Sequence, residues 1–228
     1  MSEWTHFLSI PVNQFDIQDA FIQVKSEILG QNYPTVQETM FTSPSILHIT
    51  LLMLKIEDEA KMREVKKAMR EIEKIINDDV LQGQSLNLTL KGLQTFQYLN
   101  PTQAKVLYCE IKNDENLVLL RKMTSRIVQE FLERGLIHRN HLHNVTFDHG
   151  TQLWDVKFHV TMMKSQPWQR DGFDAKTLIE KYHDTTLGLV KAAEIHLSNR
   201  FEFETDAGEK LKKSEIKINE LENAYYTC

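Results

Sequence analysis

Two short segments of this chain, Leu47-His48-Ile49-Thr50-Leu51 and Phe158-His159-Val160-Thr161-Met162, share one pattern: apolar, histidine, apolar, threonine, apolar. In an extended chain successive side chains point to opposite faces, so His48 and Thr50 share one face while Leu47, Ile49 and Leu51 share the other. His159 and Thr161 stand the same way against Phe158, Val160 and Met162. Each segment reads as a half-buried strand carrying a polar pair. If the two strands lie side by side, two imidazoles and two hydroxyls converge on one spot, each anchored in a core. That is equipment for acid–base chemistry on a phosphate.

The sequence around these strands has a similar layout in each half. Leu8, Ile10 and Val12 mark the buried face of a first strand, which Pro11 makes an edge or ends. Ile17, Phe21, Val24 and Ile28 place a helix over 14–29, closed by Gly30. The first His strand spans 47–54. Met62, Val65, Met69, Ile72 and Ile76 form the stripe of a helix over 57–76, whose acidic start at Glu57, Asp58 and Glu59 suits the helix dipole. Strands are expected over 86–90 and 105–111, followed by a helix from its cap Asn113 to Gly135 and a loop over 137–154. The second His strand, a short helix over 174–182 and a last strand over 192–203 complete the body. The order suggests two similar lobes facing each other within one domain over 1–205. Residues 206–228 read as a charged tail or peripheral helix.

Composition narrows the function. With 27 Lys and Arg against 32 Asp and Glu, the formal charge is −5, so the chain lacks the broad basic surface that grips long nucleic acids. A local phosphate pocket remains compatible with it. No apolar run approaches the roughly 18 residues of a membrane span, and the opening residues lack the basic-then-apolar order of a secretory signal. A nuclear or cytoplasmic protein is expected, with Cys109 and Cys228 as reduced thiols.

Other histidines compete for attention. His183-Asp184-Thr185 lacks apolar flanks and is set aside, whereas His196-Leu197-Ser198 lies in an alternating run and is a candidate for the same cleft. Phe7 and Tyr108, opposite their strands' core residues, are candidates for stacking a nucleobase. His138, His141, His143 and His149 crowd one polar loop, and the spacing of His141 and His143 makes a zinc site the alternative of another class. The loop has no nearby Cys or clear carboxylate partner, so no metal is assigned to it.

The paired strands resemble those of the 2H phosphoesterase superfamily. Thr5-His6-Phe7-Leu8, Ile76-Asn77-Asp78 with Gly83, Val106-Leu107-Tyr108, Gly135-Leu136-Ile137, and Ile195-His196-Leu197-Ser198 with Arg200-Phe201 resemble the branch containing the phosphoesterase-type domain of activating signal cointegrator 1 complex subunit 1 more than the related central domain of A-kinase anchoring proteins. The resemblance implies an α+β, bilobal fold with two antiparallel sheets facing a central cleft and helices outside. It implies a metal-independent phosphodiesterase, needing no cofactor, that acts on RNA or nucleotide phosphodiesters or cyclic phosphates through His48, Thr50, His159 and Thr161. It also implies a helicase-containing nuclear complex as partner, in RNA processing, transcription coactivation or repair of DNA alkylation, with no membrane. The alternative within that setting is a non-catalytic nucleotide-binding scaffold. That branch carries an RNA-binding KH module, yet no Gly-x-x-Gly spacing occurs here, so an isolated domain or a shorter relative is expected.

Overall fold

The computed structural model describes residues 4–200 and 214–218. In chain order its elements are β1 (His6–Pro11), α1 (Phe15–Gly30), β2 (His48–Leu54), α2 (Glu59–Ile75), β3 (Leu86–Thr95), β4 (Val106–Ile111) and α3 (Glu115–Glu133). After these come β5 (Val145–Asp148), β6 (Leu153–Val156), β7 (Val160–Lys164), α4 (Lys176–Tyr182), β8 (Thr186–Ala192), β9 (Glu194–Asn199) and β10 (Ser214–Lys217). Eight strands form one antiparallel sheet in the order β10-β9-β1-β2-β7-β4-β3-β8, and β5 and β6 make a separate hairpin. The two four-stranded halves meet between β2 and β7 at one registered pair, Ile49 with Val160. They are the two antiparallel sheets of the expected α+β fold, joined at their inner edges.

Connectivity forces curvature. Ala192 ends the strand at one edge of the sheet, and after the single residue Ala193, Glu194 opens β9, next to the opposite edge. So short a link requires the two ends of the sheet to approach each other, and the sheet curls into a half-barrel. β1 is paired on both sides, with β9 and β2, so Pro11 ends a central strand and does not mark an edge.

The helices pack by the stripes that their sequences carry. Ile17, Phe21, Val24 and Ile28 of α1 are buried, as are Val65, Ala68, Met69 and Ile72 of α2. Asp58 caps α2, accepting from the Lys61 backbone N–H at 2.7 Å. Where the stripe predicts α2 running on to Ile76, a π-helical turn over Ile76–Leu81 follows, and Gln82 takes the left-handed conformation. Asp114, not Asn113, caps α3. Gly30 is the last residue of α1 with no positive φ, and the left-handed turn falls to Asn32 at φ 51°.

Three elements depart from the sequence reading. The 137–154 loop contains β5 and begins β6. The strand expected over 192–203 is β9, Glu194–Asn199, with 201–203 outside the described residues, and β8, at the far edge of the sheet, precedes it as a strand that the sequence reading did not include. Within the segment read as tail or peripheral helix, Ser214–Lys217 pairs with β9 and buries Ile216 and Ile218; the rest of 206–228 lies outside the described residues. At Gly188, φ is +145° and a methyl group on its Cα would meet Ile17 Cγ1 at 2.8 Å, so α1 rests on β8 where a side chain is absent. No helix among the described residues is long and apolar enough to cross a membrane.

Candidate active site

β2 and β7 are the fourth and fifth of the eight strands, so the two His-x-Thr segments are neighbours at the sheet's centre. His48 is the first residue of β2, and His159 directly precedes β7. Leu47, Ile49, Leu51, Val160 and Met162 are buried in the core. Alternation then turns His48, Thr50, His159 and Thr161 to the other face, where all four line one cleft. Extending the Ile49–Val160 pair by one residue in each direction sets His48 across from Thr161 and Thr50 across from His159. Each hydroxyl therefore faces the other lobe's imidazole, and neither hydroxyl is hydrogen-bonded within the described protein.

The two histidines are anchored alike. His48 Nδ1 bonds the Ile46 carbonyl and His159 Nδ1 the Lys157 carbonyl, both at 2.8 Å and both two residues upstream. A carbonyl oxygen only accepts, so each Nδ1 carries hydrogen and the exchangeable position is Nε2. Phe7 stacks on His48 at 4.9 Å with 26° between planes. Phe96 meets His159 edge-on at 5.0 Å, and Tyr108 lies 5.3 Å away. Burial lowers the pKa of His159 from its ordinary 6.5; the Lys164 and Lys157 ammoniums add to this, and the bond to the Lys157 carbonyl opposes it.

The cleft, about 1110 Å³, carries an electrostatic signature unlike that of the acidic chain. Lys66, Lys157, Lys164 and Arg200 line it, and no Asp or Glu does so among the described residues. Ser9 extends the polar floor, since it pairs with Thr50 on one side and His196 on the other. A site with cations, imidazoles and hydroxyls but no carboxylates suits an anionic ligand.

The remaining sequence candidates divide. Phe7 lines the cleft. Tyr108 is fully buried, so it offers no face to a base and instead packs beneath His159 and Phe96. Its enclosed hydroxyl has no hydrogen-bond partner of ordinary geometry, and burial raises its pKa while the Lys157 ammonium opposes the rise. His196 lines the cleft, but its Nε2 bonds Glu194 at 2.7 Å and lies 3.8 Å from Glu215. These three are the metal-like grouping among the described residues, and Lys217 already pairs with Glu194 at 2.7 Å. Lys217, then His196, lowers the Glu194 pKa. Of the loop's histidines, His143 reaches the cleft beside Trp4, while His149 packs on Phe147. His183 pairs with Asp184 on the surface.

Sequence reasoning missed Phe96, Lys157, Lys164 and Lys66. Lys157 carried a usable signal, lying two residues before His159 on the alternating face. Phe96 follows the end of a strand five residues longer than expected, and nothing local marks it.

Known proteins resemble this chain in sequence and in fold. The mouse protein activating signal cointegrator 1 complex subunit 1 is 23% identical over 223 residues, which cover 87% of this chain; the chain spans 58% of that relative's length. Escherichia coli LigT complexed with 3′-AMP superposes with a TM-score of 0.56 at 12% identity, covering 95% of this chain and 96% of LigT. LigT complexed with phosphate gives 0.53 at 12% identity, covering 95% and 99%. These two likenesses concern the fold. The model of the AKAP7 2′5′ RNA ligase-like domain matches residues 4–212, nearly the whole described body, and the chain belongs to that family.

Proposed function

We propose that this chain is a metal-independent phosphodiesterase of RNA or nucleotide phosphodiesters or cyclic phosphates. The observation that carries the reading is the doubled arrangement of an imidazole tied at Nδ1 to a carbonyl two residues upstream and a threonine hydroxyl without a hydrogen-bond partner among the described residues, in a cleft whose described lining has no carboxylate. His159 is the base, because burial and two lysines favour its neutral form. Its Nε2 takes the proton of an attacking water or ribose hydroxyl as the new oxygen–phosphorus bond forms. His48, protonated, gives the Nε2 proton to the leaving oxygen as the old bond breaks. Thr50 and Thr161 donate to the non-bridging oxygens, where charge builds. Positioned proton transfer of this type contributes about 10²–10⁴-fold. The 3′-AMP and phosphate bound by LigT, a neighbour in fold, are ligands of the chemistry proposed here.

The mouse relative is named as a subunit of a complex. That name supports a multi-subunit assembly for this chain; we propose, from the resemblance of its sequence, that the assembly contains a helicase, works in the nucleus or cytoplasm, and serves RNA processing, transcription coactivation or repair of DNA alkylation. The scaffold alternative makes a different prediction, nucleotide binding without turnover. Incubating the protein with 2′–5′- and 3′–5′-linked short RNAs and cyclic nucleotides, in chelator, and separating the products decides between them. Turnover that disappears in His48→Ala and in His159→Ala supports the enzyme. Near-full turnover in both variants overturns the assignment and makes His196 the next residue to replace.

A further inference from the structure

The cleft does not end at the two histidines. Its floor continues along β1 and β2 past Ser9 and Thr50 to His6 and Met53. Met53 is five residues beyond His48, about 17 Å along a strand that rises about 3.3 Å per residue. At this far wing α2 contributes Met62 and Lys66, and the segment before β5 contributes His143 and Asn144. Asn144 is built into the sheet: its Oδ1 accepts from the Met53 backbone N–H at 3.2 Å and its Nδ2 donates to the Leu51 carbonyl at 3.5 Å. These bonds stand in for a strand partner where β2 and β7 part, and they fix the rim of the wing. His143 lies against Trp4, with ring centroids 5.7 Å apart.

Lys66 is the informative residue. On α2, Lys61, Arg63 and Lys67 each pair with a glutamate of the same helix. The residues three and four positions from Lys66 are Met62, Arg63, Met69 and Arg70, so the helix offers it no carboxylate. Among the described residues it makes no ion pair. Its half-buried side chain turns into a cleft whose described lining has no acid. An ammonium that lines one cleft with Met53, Met62, His6 and His143 complements an anion joined to a flat, weakly polar group.

We infer that this wing is a second nucleotide subsite: Lys66 meets a phosphate flanking the scissile one, and His143 with the Met53 and Met62 side chains receives the adjoining base. The inference rests on the phosphodiesterase reading and deepens it. The substrate class is an oligonucleotide reaching beyond the bond cut, not a cyclic mononucleotide. Size agrees, since a drug-sized ligand fills about 300–1,000 Å³ and the cleft holds about 1110 Å³.

The test is a length series. Single-stranded RNAs of two, four and six nucleotides are titrated by calorimetry into the His159→Ala protein, which prevents turnover, with and without Lys66→Met or His143→Ala, at several salt concentrations. Affinity is expected to rise about tenfold from the dinucleotide to the tetranucleotide, the scale of one stacked base. Lys66→Met should remove that gain, lower the salt slope for the longer RNAs by about 0.7 and leave the dinucleotide unchanged. His143→Ala should weaken the longer RNAs alone. Equal weakening at every length, no weakening at any length, or no binding of the longer RNAs overturns the subsite. Turnover is judged separately with the parent protein: if it binds the series with the expected length dependence and cleaves none of it, the wing stands and the phosphodiesterase falls.

Discussion

Replacing Thr161 by Val deletes a hydroxyl and keeps the shape of the side chain. Among the described residues that hydroxyl has no hydrogen-bond partner, and it lines the cleft, so the described fold loses no hydrogen bond. A half-exposed change of this type stays within about 0.5 kcal/mol. At about 2–4 °C per kcal/mol for a chain of this size, Tm should move by no more than about 2 °C. The transition state is affected far more, because the hydroxyl's partner there is an oxygen gaining charge. Losing one such donor costs on the order of 10–10³ in kcat, with the upper end near 4 kcal/mol. Thr50→Val should cost a similar amount, since the register gives each threonine the same relation to the opposite imidazole. The two acting on one phosphate should be less than multiplicative in the double variant. The assay is kcat and KM on a substrate that the parent cleaves, beside a melting curve. A raised KM with unchanged kcat would show that the hydroxyl holds ground and transition states alike, and a Tm loss above about 5 °C would show that it is built into the fold; either refutes the reasoning.

His159 must be neutral to act as base, so activity rises with pH through its pKa, and burial with Lys164 and Lys157 holds that pKa below 6.5. The acidic limb of kcat/KM is therefore expected below pH 6.5; Lys164→Gln removes a like charge and should move it upward, while a downward movement counts against the assignment. Because the proposed acid, base and donors are all side chains, chelator in a kinetic assay should leave kcat unchanged, and loss of activity restored by zinc would redirect attention to metal-binding groups. Gly188→Ala adds a methyl to a backbone at φ +145° and 2.8 Å from Ile17 Cγ1, which should cost about 1–3 kcal/mol and lower Tm by roughly 2–12 °C. An unchanged melting curve would show that α1 moves freely off β8.

The parts of the fold legible in the sequence are those whose signal is local. The α1, α2 and α3 stripes and the alternation of β1 and β2 each lie within about twenty residues, and each element formed close to its expected place. β8 escapes a sequence reading because Gly188 interrupts the alternation, so Leu187 and Val190 are buried three residues apart while Leu189 is exposed. The same irregularity appears in its pairing, where the register with β3 shifts between Leu90 and Lys91. β10 escapes it because four residues with two buried apolar side chains carry no periodicity. What holds them is distant: β9, and the Asn77 side chain, which donates to the Lys217 carbonyl at 3.0 Å.

The site divides along the same line. His48, Thr50, His159 and Thr161 are legible because alternation is a property of each strand by itself, and only their meeting depends on the fold. Phe7 and Tyr108 follow from that same rule, and the structure separates them. Strand parity decides which face a residue takes, whereas exposure depends on what the rest of the chain places over that face. Above Phe7 lies the His48 ring and the open cleft; above Tyr108 lie Phe96 and His159. Burial of Tyr108 has a chemical consequence, because the rings packed about His159 exclude water from one side of its imidazole and favour its neutral form. The residue expected to touch substrate is instead a positioning residue for the proposed base. Tyr108→Ala should therefore raise the His159 pKa as water enters the space, so the acidic limb moves upward, whereas Phe7→Ala should weaken nucleotide binding and leave that limb in place. Equal effects of the two substitutions on binding, with no movement of the limb in Tyr108→Ala, would return Tyr108 to the role of ordinary packing.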